Sequence, residues 1–149
     1  MRNSYLLFLL SDRIFGVRLV GAIEILPWRA SRRVPLAYSY VEGLLDYRGI
    51  VYPVYNLLQR LNLGRPGPIG FTAEQQSPAR TGQSIILLEE NKMPFGIVVD
   101  SVVKMTSLED PVSAPGKVRG IDPKFVKGFS YEEDQEIMVL DFERLLHAG

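Results

Sequence analysis

What most constrains this sequence is that it repeats itself. Phe15-Gly16-Val17-Arg18-Leu19-Val20-Gly21-Ala22-Ile23-Glu24-Ile25 has the pattern of Phe95-Gly96-Ile97-Val98-Val99-Asp100-Ser101-Val102-Val103-Lys104-Met105, displaced by 80 positions (15 to 95). Further on, Val41-Glu42-Gly43-Leu44 answers to Val126-Lys127-Gly128-Phe129, and Val54-Tyr55-Asn56-Leu57 to Val139-Leu140-Asp141-Phe142, each displaced by 85 (41 to 126, 54 to 139). Each copy of the first motif follows an apolar run and a polar turn. The chain is therefore expected to form two units of similar topology, each a set of strands ending in a capped helical turn.

Short β-branched and aliphatic runs separated by turn residues point to an all-β sandwich or barrel. Strands are expected over Tyr5–Leu10, Ile14–Leu19, Gly43–Tyr47, Ile50–Tyr55, Ser84–Glu89, Pro94–Asp100, Phe125–Tyr131 and Glu136–Leu140. The turns between them are Ser11-Asp12-Arg13, Arg48-Gly49, Glu90-Asn91-Lys92 and Glu132-Glu133-Asp134. Asn56 and Asp141 are good helix N-caps followed by leucines at helical spacing, which predicts short helices over Leu57–Leu63 and Phe142–His147, with Gly64 stopping the first. Gly64–Gln83 is rich in Gly, Pro, Ser and Gln without apolar periodicity, and is expected to be a mobile linker. Approximate halves of 15–63 and 84–147, with the strand at 5–10 near enough to join either, follow. A five-stranded half cannot shield both faces from water, so the halves are expected to share a core within one domain spanning 1–149.

Composition narrows the function. Lys+Arg and Asp+Glu are balanced at 17 each, so no broad field of one sign draws nucleic acid or an acidic membrane. The apolar run Tyr5–Leu10 is far shorter than the roughly 20 residues of a membrane helix and lacks the flanks of a secretory signal, so a cytoplasmic protein without direct membrane insertion is expected. With no cysteine and one histidine, His147, thiolate chemistry and Cys-ligated metal are excluded. Asp110-Pro111 and Asp122-Pro123 are turn starters, Glu132-Glu133-Asp134 is a hairpin tip lacking the ligand spacing of a calcium loop, and no Gly-rich phosphate motif followed by Lys occurs. Neither a catalytic residue nor a cofactor or metal site is expected. Arg29, Arg32 and Arg33 beside Trp28 form a basic cluster that no second basic stripe extends.

The ordered set Phe15-Gly16-Val17, Ile23-Glu24-Ile25, Val34-Pro35, Val41-Glu42-Gly43, Tyr47-Arg48-Gly49, Val51-Tyr52-Pro53-Val54, Phe95-Gly96-Ile97-Val98-Val99-Asp100 and Val126-Lys127-Gly128 resembles the CheW-like family from about Tyr5 to Leu146. The resemblance implies two five-stranded, SH3-like β-barrels packed around a shared core. It also implies a non-catalytic adaptor joining a chemoreceptor's cytoplasmic tip to the regulatory domain of a CheA-type histidine kinase, itself a CheW-like domain.

Matched position by position, the family's asparagine-leucine-arginine-glycine signature falls on Asp46-Tyr47-Arg48-Gly49, keeping Arg48 and Gly49. Gly43 matches the glycine upstream of it, in a region tied to coupling, and Glu24 matches a glutamate typical of the family. A proline-isoleucine-valine-aspartate-leucine-arginine string appears as Pro53-Val54-Tyr55-Asn56-Leu57-Leu58, with Asn56 and Leu58 departing. Glu24, Gly43, Arg48, Gly49, Ile50, Val51 and Tyr52 are thus the expected partner-binding residues. Arg48, placed in a tight turn that cannot be core, is the principal one, with neighbouring Ile50, Val51 or Tyr52 as apolar anchor. The competing classes are a small-ligand-binding barrel, which needs a large internal cavity, and a nucleic-acid-binding barrel using Arg29, Arg32 and Arg33.

Overall fold

The computed structural model describes residues 1–20, 23–63, 82–113 and 120–146. The chain runs β1 (Arg2–Leu10), β2 (Arg13–Arg18), β3 (Glu24–Pro27), β4 (Val41–Tyr47), β5 (Ile50–Asn56), α1 (Leu57–Arg60), β6 (Ser84–Glu90), β7 (Met93–Val99) and β8 (Ser101–Glu109). A 3-10 turn over Pro123–Phe125 then leads to β9 (Val126–Glu132), β10 (Gln135–Leu140) and α2 (Phe142–Leu146). The 3-10 turn takes the start of the strand expected from Phe125, because the Asp122 carboxylate accepts from the Lys124 amide and caps it (3.1 Å).

Two strands, β3 and β8, escape the sequence reading. Both lie on sheet edges, and β8 is exposed at Val103, Lys104 and Met105, so neither carries the apolar alternation that announces a half-buried strand. The linker expected over Gly64–Gln83 lies outside the described residues except for Gly82 and Gln83, and so do Gly64 and His147. At the end of α1 it is Asn62 that takes a left-handed φ of 58°.

Two five-stranded sheets result, ordered β8-β1-β2-β10-β9 and β3-β6-β7-β5-β4. The sheets do not follow the two sequence repeats. Each takes the first two strands of one repeat and the last three of the other, and under the repeat the two strand orders are the same. The handover points are the β2–β3 connection and the bend at Asp100 between β7 and β8. At that bend the Asp100 carboxylate accepts from the Ser11 amide (2.8 Å) and the Gln83 side chain (3.2 Å).

This exchange explains the unbroken apolar runs. In β1, Leu6, Phe8 and Leu10 face a core shared by both sheets, while Tyr5 and Leu7 face a second cluster with Leu108, Ile137 and Val139. In β6, Ile86 and Leu88 enter the shared core, and Ile85 and Leu87 pack with Leu26, Leu45, Val54 and Val98. A strand buried on both faces reads as a continuous run rather than an alternation.

Among the described residues, the four hairpins each turn on two residues of positive φ: Ser11 and Asp12 (50° and 66°), Arg48 and Gly49 (49° and 82°), Asn91 and Lys92 (51° and 65°), Glu133 and Asp134 (47° and 68°). That is the signature of the type I′ turn, whose twist matches the strands it joins.

Each sheet is drawn toward a closed barrel by one isolated bridge between its edges, Arg32 with Leu44 and Val112 with Phe129. These bridges too are related by the repeat. Beside them Gly43 and Gly128 adopt φ of 155° and 157°, and a Cβ on Gly43 would run into the Arg32 carbonyl, while one on Gly128 would lie 2.6 Å from the Val112 carbonyl oxygen.

Candidate docking surface

The β4–β5 hairpin projects Arg48 from one end of the second sheet. Its guanidinium lies 3.3 Å from the Glu24 carboxylate on β3 and 5.1 Å from the centroid of the Tyr47 ring. Arg29 approaches the same ring at 5.9 Å, and Arg32 pairs with Asp46 at 3.2 Å. With 74% of its side chain exposed, Arg48 is held in place by contacts worth about 0.5–1 kcal/mol each at most and keeps donors free for a partner.

Ile50 and Val51 are both outside the core, 47% and 43% exposed, although alternation along a strand would bury one of them. Both faces of the hairpin tip therefore meet solvent. Tyr52 is half-buried against the Leu26, Leu45 and Val54 cluster. Ile50, Tyr52, Ile23 and Glu24 line a cleft of about 300 Å³ together with Leu87, Leu88, Glu89, Lys92 and Pro94. Val51, paired across the hairpin with Asp46, is not among the cleft residues.

The structure therefore gathers Glu24, Arg48, Ile50 and Tyr52. Gly49 is needed for the turn and has no atom within 4 Å of where a Cβ would sit. Gly43 is buried at the barrel seam, so it presents no surface of its own and can influence docking only through the backbone of Arg32 and Leu44.

Sequence reasoning missed Glu42. Its half-buried carboxylate accepts from the Trp28 indole (3.3 Å) and from the Asn56 amide (3.1 Å), while the Asn56 oxygen caps α1 at the Gln59 amide (3.1 Å). Asn56, which stands where the family has aspartate, thus keeps the cap and adds a donor that satisfies Glu42; an aspartate there would face a second carboxylate. Leu58, the other departure, packs partly against the shared core.

The repeat-related surface lies on the other five-stranded sheet. Lys104 on β8 lies 2.6 Å from Glu132 on β9. The Lys104 hydrogen bond, followed by one to Thr106, holds the Glu132 carboxyl below the usual carboxylate range, and the Glu132 hydrogen bond raises Lys104. Because Glu132 has a lower pKa folded than unfolded, the unfolded chain binds the extra proton first. Stability from this pair is present above the usual carboxylate range and is lost as pH falls through it and down through the folded pKa. Glu132→Gln should flatten that acid limb when denaturation midpoints are followed from pH 6 to about pH 3; a limb as steep as wild type would remove Glu132 from it.

Among the described residues, no three His, Cys, Asp or Glu side chains converge as a metal site, and no helix is long and apolar enough to cross a membrane. The 300 Å³ cleft is at the lower limit for ligand pockets and opens on the surface, and Arg32 of the basic cluster is paired with Asp46.

The model of the CheW-like domain matches residues 4–149. The chain is 31% identical over 146 residues to the chemotaxis protein CheW of Bacillus subtilis (strain 168), spanning 97% of this chain and 86% of that one. It is 29% identical over 143 residues to the chemotaxis protein CheW of Treponema pallidum (strain Nichols), spanning 95% and 80%. The crystal structure of the scaffolding protein TtCheW from Thermoanaerobacter tengcongensis is similar with a TM-score of 0.79 at 22% identity, over 100% of this chain and 90% of that one.

Proposed function

Since the chain belongs to the CheW-like domain family, we propose that it is a non-catalytic cytoplasmic adaptor that couples chemoreceptors to a CheA-type histidine kinase. The observation that carries this reading is the chain-long match to that domain, residues 4–149, in company with relatives named as chemotaxis proteins. An adaptor must act through interface area and a few strong contacts. The Arg48 hairpin supplies both kinds of group that such a contact uses, a fork of directed donors and exposed Ile50 beside a shallow cleft. We assign this end to the kinase's regulatory domain or the receptor tip, with Glu24 orienting Arg48 and Tyr52 forming the cleft wall. The test is whether the chain retains the kinase on receptor-bearing vesicles.

A further inference from the structure

One side chain ties the helical turn of the first half to that of the second. Displaced by 85 positions, Tyr40 answers to Phe125 and Arg60 to Leu145 (40 to 125, 60 to 145), and the fold brings these residues together around the Arg60 guanidinium. Its central carbon lies 4.4 Å from the centroid of the Tyr40 ring and 4.7 Å from that of Phe125, while Nε donates to the Leu145 carbonyl at 2.9 Å. A planar, weakly hydrated cation that both stacks on rings and donates in a fixed direction suits such a half-buried place. Leucine at the repeat-related position 145 has no donor to return the bond, so the tie runs one way, from α1 to α2.

Helix α2 depends on ties of this kind. It has five residues, whereas an isolated helix shorter than about 12 is marginal in water. The Leu145 carbonyl is among its last, which find no partner within the helix. At the other end the Asp141 amide donates to the Phe125 carbonyl (2.8 Å), and the Asp141 carboxylate accepts from the Arg144 amide (3.3 Å). The 3-10 turn and α2 are thus bonded to each other at Asp141 and to α1 through Arg60. Between these anchors Phe142 and Leu145 sit in the core shared by both sheets, the Phe142 ring 5.5 Å from that of Phe95.

We propose that Arg60 is a latch: it holds α2 and the 3-10 turn closed over the junction of the two sheets, and these two elements open as one local unit before the sheets come apart. Opening withdraws Phe142 and Leu145 and bares the part of the shared core around Phe95. The inference concerns the chain alone, goes beyond the adaptor reading and does not depend on it.

Hydrogen exchange of the full chain under native conditions, followed by mass spectrometry, is the test. In the wild-type chain the segments Pro123–Phe125 and 141–146 should exchange together and faster than β1 and β6. Arg60→Met keeps an unbranched stem and removes the cation; it should raise exchange in both segments by about tenfold or more while leaving the Arg48 hairpin unchanged. Arg60→Lys, which keeps a cation and a donor but not the planar fork, should fall between the two. Tyr40→Leu removes one of the rings and should act in the same direction, and it carries the test if circular dichroism shows that Arg60→Met does not fold. Exchange at 141–146 that is unchanged in a folded variant would overturn the proposal. So would exchange that rises equally in β1 and β6, which marks a loss of global stability, or wild-type segments that open at unrelated rates. None of those outcomes touches binding to a kinase or receptor, which is measured separately.

Discussion

Gly43→Ala should cost this protein about 3–5 kcal/mol, a large part of the 5–15 kcal/mol that holds an ordinary domain folded. Two effects combine. The backbone at φ 155° lies in a region open almost only to glycine, at a cost of about 1–3 kcal/mol for any other residue. The added methyl would also meet the Arg32 carbonyl, pushing apart a seam in which the Arg32 and Leu44 amides each donate to the other's carbonyl at 2.8 Å. Each of those bonds contributes about 1 kcal/mol.

Gly128→Ala should behave alike, since it faces Val112 across the related seam, with bonds of 2.9 and 2.8 Å. Gly49→Ala is the contrasting control: its φ of 82° is strained for alanine but no atom lies nearby, so the loss should be about 1 kcal/mol. Urea denaturation of the three variants measures this directly. Equal losses at Gly43 and Gly49 would mean that the seam does not support the barrel. If Gly43→Ala instead costs more than Gly49→Ala, a Gly43 variant that binds partners poorly does so through a disturbed seam rather than a lost contact.

Arg48→Glu should leave the fold intact and weaken docking by roughly 2 kcal/mol, about thirtyfold in affinity. Its side chain is 74% exposed and its pairing with Glu24 spans 3.3 Å in solvent, so stability should change by about half a kcal/mol. Docking loses the guanidinium fork and gains a carboxylate beside Glu24, a repulsive element as well as a missing attractive one. Calorimetric titration against the kinase regulatory domain and against a receptor tip, with circular dichroism on the same preparation, separates the two effects. Unchanged affinity for both partners in a folded variant would take Arg48 out of the interface.

The strands that were legible in the sequence are those buried on both faces, such as β1 and β6, and those ending in two-residue turns, where hairpin geometry is local. Edge strands β3 and β8 were not, because a strand with one partner and a wet face carries charges where a central strand carries apolar residues. Nor could the repeat reveal that each sheet borrows strands from the other half. The choice of hydrogen-bond partner is non-local, and an exchanged and an unexchanged pairing ask for the same pattern of apolar faces.

At the candidate site, Arg48 and Gly49 were visible as a tight turn and Ile50 as its neighbour. The pairing of Arg48 with Glu24, 24 positions away, needed β3, the strand that the pattern hid. Glu42 was invisible for a similar reason: its partners Trp28 and Asn56 reach it only once β4 and β5 are paired. Gly43 was recognisable as a glycine in a meaningful place, but whether it faced a partner or a seam depended on where Arg32 lay.

The central claim is that this chain bridges two proteins, and co-sedimentation tests it most directly. Vesicles bearing the receptor's cytoplasmic portion are mixed with purified kinase, with and without the full chain, and spun down. The account predicts that kinase pellets with the vesicles only when the wild-type chain is present, and much less with Arg48→Glu. Kinase that pellets equally without the chain, or that stays in the supernatant despite a folded wild-type chain, would contradict it.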